Sequence, residues 1–401
     1  MLHSNHALIL RRGNINYDSL TSFSALLSKA LGSCGIEVDY WDLDRSNEKL
    51  DKRLSEVRYD FALTFNSIGQ HNYKVNGENI WNKHRIPFFN YIVDHPQMHS
   101  IYLFSECSNY YCLCLDRDHV DYAKRFYKDV KDAFFLPLGG SDSDEEKVDD
   151  SFEEFEHREF DVVFTGSYVD RDELDGKILA LPEAVRNIEL AYLDHMLDNR
   201  TLSLEEGLTA ILPDFGIDPS DEKAYFGFAN ALFPITNNYL RSYTREEAVR
   251  FLAQSKGTIH LFGTGWDTLD DLENVVLHGS CTYLETAAIY KKSKIVFNVM
   301  PYFKNGAHDR IPTSMLAGAA VLTDDSKYYR DVCEKAGHEI MRFWNLSAPE
   351  ALPYIVDDML SDPDKLYEIA QRGLHLARGN MTWNRTAEKL VGILENRCDY
   401  G

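Results

Sequence analysis

The chain has 401 residues, of which 44% are hydrophobic and 12% aromatic. This length predicts two domains of roughly 150–200 residues each, and the apolar content excludes a mainly disordered or fibrous protein. Lys and Arg number 42 against 64 Asp and Glu, a net charge of −22, which argues against sequence-independent binding of nucleic acid but allows a small anionic ligand in a local basic pocket.

The first half alternates short apolar runs with helical patterns. Residues 20–34 carry apolar side chains at helical spacing, which predicts an amphipathic helix. The predicted strands are Ala7–Leu10, Val38–Trp41, Tyr59–Phe65, Pro87–Val93, Tyr110–Leu115 and Ala133–Pro137. Continuous apolar strands separated by helices are typical of a parallel sheet that is covered on both faces, which is an α/β fold.

An acidic stretch at 141–157 predicts a solvated linker between a first domain, 1–140, and a second, 158–380. Residues 172–255 are mostly helical and predict an insertion into the second domain, and further helices are predicted at 350–377 and 382–396. The predicted strands of this half are Phe160–Thr165, Thr258–Phe262, Val275–Leu277, Ile295–Asn298 and Ala319–Thr323.

Three sequence features bear on location and metals. No apolar run approaches the ~20 residues that cross a bilayer, and residues 1–6 lack the pattern of a secretion signal. The seven cysteines are scattered, so we expect reduced thiols in a cytoplasmic protein without a structural zinc site.

Ligands of open α/β sheets bind beyond the carboxyl ends of the strands. In the second domain, Gly166 and Ser167 follow the first strand, where backbone N–H groups can approach an anion. The Gly263-Thr264-Gly265-Trp266 segment follows the next strand and is either a ligand loop or a plain tight turn. His278 and Gly279 follow the third strand, with Tyr283 close behind, and a lone His there is by default a satisfied polar residue.

The segment from Asn298 to Thr313 is the richest in chemistry. Lys304, Asn305, His308, Asp309 and Arg310 lie in or just after a loop that opens a helix. A helix start offers free N–H groups, and Arg310 adds a fork of donors suited to a diphosphate. The structural alternative is that Arg310 and Asp309 pair with each other as a helix cap.

The corresponding place in the first domain is the segment Asp94-His95-Pro96-Gln97-Met98-His99, after the strand that ends at Val93. A carboxylate beside imidazoles suits a general base, although a hydrogen-bonded loop would explain the same residues. Asn66, His71 and the pair Gly13-Asn14 also follow strands and are further candidates to line the same cleft, although such residues carry little specificity.

Residues 263–323 resemble the C-terminal half of GT-B glycosyltransferases, most closely the group related to the spore-maturation protein CgeB, whose C-terminal domain is similar to glycosyltransferase families 1 and 4. The block from Phe88 to His99 resembles the N-terminal domain of the same group. The motifs that carry the likeness are Gly263/Gly265/Trp266, His278/Gly279/Tyr283, Asn298 and Arg310/Thr313/Gly318.

The resemblance implies two Rossmann-like domains that face each other across a cleft, with the acceptor bound by the first and a nucleotide-sugar by the second. The segment 381–401 would be a helix that crosses back to the first domain. Carried over by position, His278, Gly279 and Tyr283 would lie near the base and ribose. The diphosphate and sugar would lie near Asn305, Asp309, Arg310 and Thr313.

We therefore expect a metal-independent transferase that moves a hexose from a nucleoside-diphosphate sugar, UDP-linked, to an unidentified protein, lipid or small-molecule acceptor, with no other cofactor. Asp94 would be the general base if the reaction inverts configuration, and His95 or His308 would hold hydroxyl groups. The strings Asp42-Leu43-Asp44 and Asp116-Arg117-Asp118 are rejected as metal motifs because short Asp-x-Asp strings are common in so acidic a chain.

Two alternatives remain open: an epimerase of the same fold, and a non-catalytic partner that binds a sugar-nucleotide or scaffolds a transferase. Many retaining relatives carry Glu residues where this chain has residues such as Gly306 and Thr313, which gives the non-catalytic alternative some weight.

Overall fold

The computed structural model describes residues 5–12, 18–43, 47–69, 73–141, 151–270 and 272–397. The chain divides into two compact units. The first comprises Met1–Ser141, Thr282–Leu284 and Asn380–Gly401, and the second comprises Asp142–Cys281 and Glu285–Gly379. Within the described ranges, no helix is both long enough and apolar enough to cross a membrane.

The first unit is built on a parallel sheet. Its strands are β1 (His6–Arg11), β2 (Glu37–Asp42), β3 (Phe61–Phe65), β4 (Lys74–Val75), β5 (Glu78–Asn79), β6 (Phe88–Ile92), β7 (Tyr110–Cys114) and β8 (Asp132–Phe135). Its first helices are α1 (Ser19–Ser33), α2 (Asn47–Glu56), α3 (Ile80–His84), α4 (Ser100–Leu103) and α5 (Arg117–Phe126), with a 3-10 turn at Pro96–His99. Six of the strands form the order β2-β1-β3-β6-β7-β8, and β4 and β5 form a separate antiparallel pair. Because β3, β6 and β7 are buried along their whole length, they appear in the sequence as unbroken apolar runs.

The second unit repeats this architecture. Its strands are β9 (Phe160–Thr165), β10 (Ile259–Phe262), β11 (Val275–Leu277), β12 (Ser293–Asn298), β13 (Ala320–Thr323) and β14 (Arg342–Phe343). Its helices are α6 (Phe152–Glu156), α7 (Arg171–Leu179), α8 (Glu183–Asp198), α9 (Leu204–Ile211), α10 (Glu222–Leu252), α11 (Tyr283–Lys291), α12 (Arg310–Leu316), α13 (Lys327–Ala336), α14 (Leu352–Ser361) and α15 (Pro363–Asn380). Short 3-10 turns lie at Leu212–Phe215, Trp266–Thr268 and Pro349–Ala351.

The strand order of the second sheet shows where its direction reverses. The order is β11-β10-β9-β12-β13-β14, and all pairs are parallel. The chain moves outward from β9 to β11 and then returns to the other side of β9 at β12. In sheets of this kind, ligands bind beyond the carboxyl ends of the two strands where the direction reverses. Here those ends are Thr165 on β9 and Asn298 on β12.

The predicted insertion consists of helices α7 to α10. Helix α9 begins with a capping box, in which Ser203 and Glu206 each bond the other's backbone N–H, an arrangement that stabilises a helix start. Helix α10 runs for 31 residues and contains Pro234. Its C-terminal part supplies Ala248, Val249 and Leu252 to the core of the second unit, so the insertion is integrated into that core.

The last helix, α16 (Trp383–Arg397), belongs to the first unit. Phe23 of α1 packs against the Trp383 ring, with 5.8 Å between ring centroids. The chain approaches α16 closely at Gly139, where a Cβ atom would lie 2.3 Å from the backbone nitrogen of Trp383. Only glycine permits that contact.

All the strands predicted from the sequence are present, and the α/β fold class with a helical insertion is confirmed. The pattern missed β14 and the β4–β5 pair because strands of two residues are too short to show a period. Part of the predicted linker, 142–150, lies outside the described residues. The rest of it forms helix α6, in which Ser151 is the N-cap and Phe155 is buried in the core.

Candidate functional site

The loops after β9 and β10 pack tightly against each other. The Gly166 amide donates to Phe262 O, and the Tyr168 amide donates to Thr264 O. A Cβ atom on Gly263 would lie 2.3 Å from Gly166 O, and one on Gly265 would lie 2.1 Å from Tyr168 O. These glycines are therefore required by the contact between the two loops.

Trp266 supports this pair of loops from the inside. Its side chain is 1% exposed and stacks on Tyr168. Its Nε1 donates to Gly166 O at 2.7 Å. Ser167, by contrast, is partly exposed, and its Oγ accepts from the Thr264 amide. The Gly-x-Gly-Trp segment thus shapes the end of the sheet, while its indole is too deeply buried to contact a ligand.

Arg310 lies at the carboxyl ends of β9 and β12. Its Nε donates to Thr165 Oγ1 at 3.1 Å, and its Nη1 donates to Asn298 Oδ1 at 2.6 Å. Asn298 is fixed in turn because its Nδ2 donates to Thr323 Oγ1 at 2.9 Å. Among the described residues, Nη2 of Arg310 makes no hydrogen bond, so part of its donor fork remains available to a ligand.

A second guanidinium comes from the insertion. Arg245, on α10, donates from Nη1 to Ser167 O. Its Cζ lies 5.8 Å from the centre of the Phe164 ring, and Cζ of Arg310 lies 5.2 Å from the same ring. Its buried Nε has no hydrogen-bond partner in the described part of the chain.

The charges around Arg245 are positive. Burial, and then the charges of Arg241 and Arg310, hold the pKa of the Arg245 guanidinium well below its usual range. The adjacent carboxylate, Glu246, pairs instead with Arg171 at 2.7 Å and Arg250 at 2.9 Å. Arg241, Arg245 and Arg310 therefore form a cationic cluster, a name we keep for these three residues, in a chain of strongly negative net charge.

His308 adjoins the cationic cluster as a neutral imidazole. Burial and the charges of Arg310, Arg245 and Arg241 lower its pKa well below the usual range. Its Nδ1 lies 3.2 Å from Asn298 Oδ1, and because an amide oxygen only accepts, we assign the proton to Nδ1. The lone pair is then on Nε2, which lies 3.5 Å from Asp309 Oδ1.

The start of α12 offers fewer free N–H groups to a phosphate than the sequence predicts. The helix has only seven residues, and the Ile311 amide already donates to His308 O. Asp309 makes no capping bond with its side chain, and Arg310 bonds Thr165 and Asn298, so the alternative in which these two residues form a helix cap is not observed. Thr313 is buried, and its Oγ1 donates to Asp309 O at 2.8 Å. Burial raises the pKa of Asp309, against the opposing effect of Arg310.

Lys304 and Asn305 lie in the loop between β12 and α12, partly buried. The ammonium of Lys304 donates to Arg200 O, at the end of helix α8, at 2.8 Å. Burial lowers the pKa of Lys304 to about 8. Its ammonium is therefore directed to the insertion.

His278 and Gly279 lie beside the Gly263 loop, since Gly279 O accepts from the Gly263 amide at 2.7 Å. The His278 ring is exposed and stacks on Phe262 at 4.2 Å, and its Nε2 lies 2.9 Å from Nδ1 of His260. Tyr283 is not grouped with them. Although it is the first residue of α11, Tyr283 is grouped with the first unit, where it is buried against Phe23.

In the first unit, Asp94 follows β6 and is contacted by His99. Nδ2 of Asn66 donates to Asp94 Oδ2 at 3.0 Å, and Nε2 of His99 lies 3.6 Å from the same oxygen. Asn66 and Ser67 are consecutive non-glycine residues with positive φ, 47° and 59°, and such strain tends to cluster at functional sites.

His95 has a different environment from that predicted. Its Nδ1 accepts from the Gln97 amide at 3.0 Å, and its buried ring packs against His119 and Tyr122. The imidazole beside Asp94 is therefore that of His99. His71, Gly13 and Asn14 lie outside the described residues.

The Asp-x-Asp strings have structural roles. Asp116 caps helix α5 by accepting from the Asp118 amide, and Asp42 pairs with Arg11 at 2.7 Å; Asp44 lies outside the described residues. In the described ranges, no group of three His, Cys, Asp or Glu side chains is arranged to hold a metal ion.

The comparisons with known proteins agree with this architecture. Residues 241–392 match a family model described as glycosyl transferase-like, and this match begins at Arg241 of the cationic cluster. No curated protein matches the sequence.

Solved structures of similar fold cover nearly the whole chain. Sucrose-phosphate synthase from Thermosynechococcus elongatus has a TM-score of 0.53 at 11% identity, covering 97% of this chain and 98% of its own. HepE of Anabaena, solved with UDP and glucose, has a TM-score of 0.55 at 11% identity, covering 97% and 99%. WaaG, a glycosyltransferase involved in lipopolysaccharide biosynthesis, has a TM-score of 0.53 at 11% identity, covering 98% and 100%. The chain therefore has the GT-B glycosyltransferase fold, and its residues 241–392 match a glycosyl transferase-like family.

Proposed function

We propose that this protein is a glycosyltransferase that moves a hexose from a UDP-linked sugar to an acceptor hydroxyl, with the donor bound by the second unit. The observation that carries the proposal is the cationic cluster. Arg245 and Arg310 approach one aromatic ring, Phe164, from two different elements. They do so at the carboxyl ends of β9 and β12, where the strand order reverses.

The cationic cluster suits the chemistry of sugar transfer. Breaking the bond between sugar and phosphate places negative charge on the departing diphosphate, and preorganised cationic donors stabilise that charge. Guanidinium groups bind phosphate oxygens through two parallel N–H donors. We propose that Arg245 and Arg310 stabilise the diphosphate in this way, which is work that a bound metal does in other transferases.

Other residues of the site have proposed roles in orienting the donor. The neutral Nε2 of His308 can accept a hydrogen bond from a sugar hydroxyl. Asp309 and Asn305 are proposed to lie near the sugar and diphosphate. His278 and Gly279 follow β11 and are proposed to contact the base and ribose.

Asp94 remains our proposal for the general base, with His99 in place of His95 as its imidazole partner. The carboxylate is oriented by Asn66. A general base needs such a fixed orientation to accept a proton from a hydroxyl group. UDP is the nucleotide to test first, because HepE was solved with UDP and glucose and with UDP-glucose.

The decisive experiment is the binding of UDP, measured by calorimetry, to the native protein and to Arg245→Ala and Arg310→Ala. We expect each variant to lose about tenfold or more in affinity, because a charge-assisted bond to phosphate contributes about 1.5–3 kcal/mol. Arg372→Ala is the matched control, since Arg372 pairs with Glu368 on the surface of α15. Unchanged affinity in both cluster variants would remove the basis of the proposal.

Incubation with UDP-glucose in the absence of acceptor separates the competing functions. Slow release of UDP supports a transferase, since water can replace the acceptor. An isomerised sugar nucleotide would indicate an epimerase. Binding without any turnover would indicate a non-catalytic partner.

A further inference from the structure

The loop between β12 and α12, residues 299–309, is attached to the rest of the second unit on one side by backbone contacts. The Met300 amide donates to Asp324 Oδ1 at 2.6 Å, and the Lys327 amide donates to Lys304 O at 2.9 Å. Ser326 Oγ donates to Gly306 O at 2.9 Å, and Tyr329 Oη donates to His308 O at 3.1 Å. These bonds hold the backbone that carries His308 and leads to Arg310.

On another side, the partly buried side chain of Lys304 joins the same loop to the insertion. The ammonium of Lys304 donates to Arg200 O at 2.8 Å. Arg200 in turn donates from both Nη1 and Nη2 to the carboxylate of Glu247 on α10, two residues beyond Arg245. Lys304, Arg200 and Glu247 thus connect the two elements that supply Arg310 and Arg245.

We propose that Lys304 is a positioning residue: its charged ammonium holds loop 299–309 against the insertion, so that Arg310 and Arg245 keep the separation that a diphosphate requires. The proposal rests on the proposed function. It assigns a role to the insertion, which delivers Arg245 and is secured to the donor loop by the Lys304–Arg200–Glu247 connection.

The charge of Lys304 depends on pH. Burial lowers its pKa to about 8, and the carboxylates of Asp324, Asp325 and Glu206 act in the opposite direction. Asp324 is itself buried, and its pKa is raised to about 6. The ionisable groups that face Lys304 are Glu206 of α9, Arg200 after α8, Asp324 and Asp325 after β13, and Tyr302 of its own loop.

A charged ammonium bonds a carbonyl more strongly than a neutral amine does. The connection should therefore weaken as pH rises through about 8. Because the pKa of Lys304 is lower in the folded chain than in the unfolded chain, its deprotonation makes the fold more stable as pH rises from that value. A loss of UDP affinity in this range cannot then be attributed to unfolding caused by Lys304.

The test is the affinity for UDP at about pH 7 and about pH 9. Over this range the UDP phosphates are already mostly ionised, because the pKa of a terminal phosphate is about 6, and the uracil base keeps most of its N3 proton. We expect the native protein to lose about tenfold in affinity between these values. Lys304→Met should already bind about tenfold more weakly at the lower pH and show no further loss at the higher one. Lys304→Arg keeps its charge at both values and should restore affinity at both.

Two further variants complete the design. Glu247→Gln should weaken UDP binding but keep the pH dependence, because Lys304 still titrates. Lys256→Met is the matched control, since the side chain of Lys256 is 90% exposed. The proposal would be overturned if the UDP affinity of the native protein did not change with pH. It would also be overturned if the pH dependence persisted in Lys304→Met, because the dependence would then belong to another group, such as Arg245. Either result would leave UDP binding by the cationic cluster intact, whereas no UDP binding at about pH 7 would refute the proposed function itself and this inference with it.

Discussion

Asn298 Oδ1 accepts a hydrogen bond from Arg310 Nη1 at 2.6 Å, at the point where the strand order of the second sheet reverses. The same oxygen lies 3.2 Å from Nδ1 of His308. One amide oxygen therefore orients both the guanidinium proposed to bind the diphosphate and the imidazole proposed to bind the sugar. Because an amide is neutral, it does so without reducing the positive charge of the site.

Replacing this neutral acceptor by a charged one tests whether the charge matters. Asn298→Asp preserves the shape and the accepting oxygen, and Thr323 Oγ1, now 2.9 Å from Asn298 Nδ2, can donate to the new carboxylate. We expect UDP affinity to fall about tenfold or more, because the carboxylate competes with the diphosphate for Arg310. We also expect the pKa of His308 to rise toward its ordinary value, which NMR titration of the imidazole would detect.

Asn345→Asp is the control for Asn298→Asp, because Asn345 is exposed in the same unit and the substitution adds the same charge. Equal UDP affinities for Asn298→Asp and Asn345→Asp would show that charge at Asn298 is irrelevant to the ligand.

A separate prediction concerns Asp94 and His99. If Asp94 is the general base, Asp94→Asn should lower UDP release from UDP-glucose by about 10²–10⁴-fold. His99→Gln should lower it by less, because His99 contacts the carboxylate at 3.6 Å without a hydrogen bond. UDP affinity should stay within about twofold in both variants, since a base acts on the acceptor side of the reaction.

Asp121→Asn, on the exposed face of α5, is the control for that experiment. A turnover rate for Asp94→Asn equal to that of Asp121→Asn would exclude Asp94 as the base. His95→Gln is expected to act differently from both, by lowering thermal stability, because His95 caps the turn at Pro96–His99.

The sequence predicts the strands and the donor loop well for the same physical reason. Strands buried on both faces must be continuously apolar, and the polar residues directly after them stand out. Asn298, at the end of β12, is predicted in this way, and His308 and Arg310 follow in the segment that leads from it into α12. The structure places His308 Nδ1 3.2 Å and Arg310 Nη1 2.6 Å from Asn298 Oδ1.

The residues that the sequence did not reveal lie on helices. Arg241 and Arg245 are four residues apart on α10, a spacing that is also typical of a solvated helix face. A weak signal in the sequence is that like charges at this spacing repel each other, a repulsion that a bound anion would relieve. The sequence places both His95 and His99 near Asp94 and does not separate them, because only the local turn decides which imidazole faces the carboxylate.

The glycines after β10 show a different limit of prediction from sequence. A loop that binds a phosphate and a loop that packs on another loop both need a residue without a Cβ atom, so the pattern alone does not separate them. We expect Gly263→Ala to lower the free energy of unfolding by about 3 kcal/mol, because its Cβ would lie 2.3 Å from Gly166 O. Chemical unfolding measures this free energy. Gly176→Ala, on α7 with open space around it, should instead stabilise by about 0.5–1 kcal/mol.

The insertion also contains a buried carboxyl that makes stability depend on pH. Glu189, on α8, is 0% exposed and lies 2.9 Å from Thr236 Oγ1 on α10. Burial raises the pKa of Glu189 to about 8. The single hydroxyl proton of Thr236 can be donated to Leu232 O at 3.0 Å, which leaves Thr236 Oγ1 to accept from a protonated Glu189.

Between the ordinary pKa of a carboxyl and about pH 8, the folded chain holds this proton and the unfolded chain does not, so stability falls as pH rises. Glu189→Gln mimics the protonated form, and we expect it to be more stable than the native protein by about 4 kcal/mol near pH 8 and by less than about 1 kcal/mol near pH 5. Urea unfolding at the two pH values measures the difference. Glu183→Gln, exposed on the same helix, should show no such gain, and an equal response of the two variants would mean that Glu189 is ionised in the folded protein.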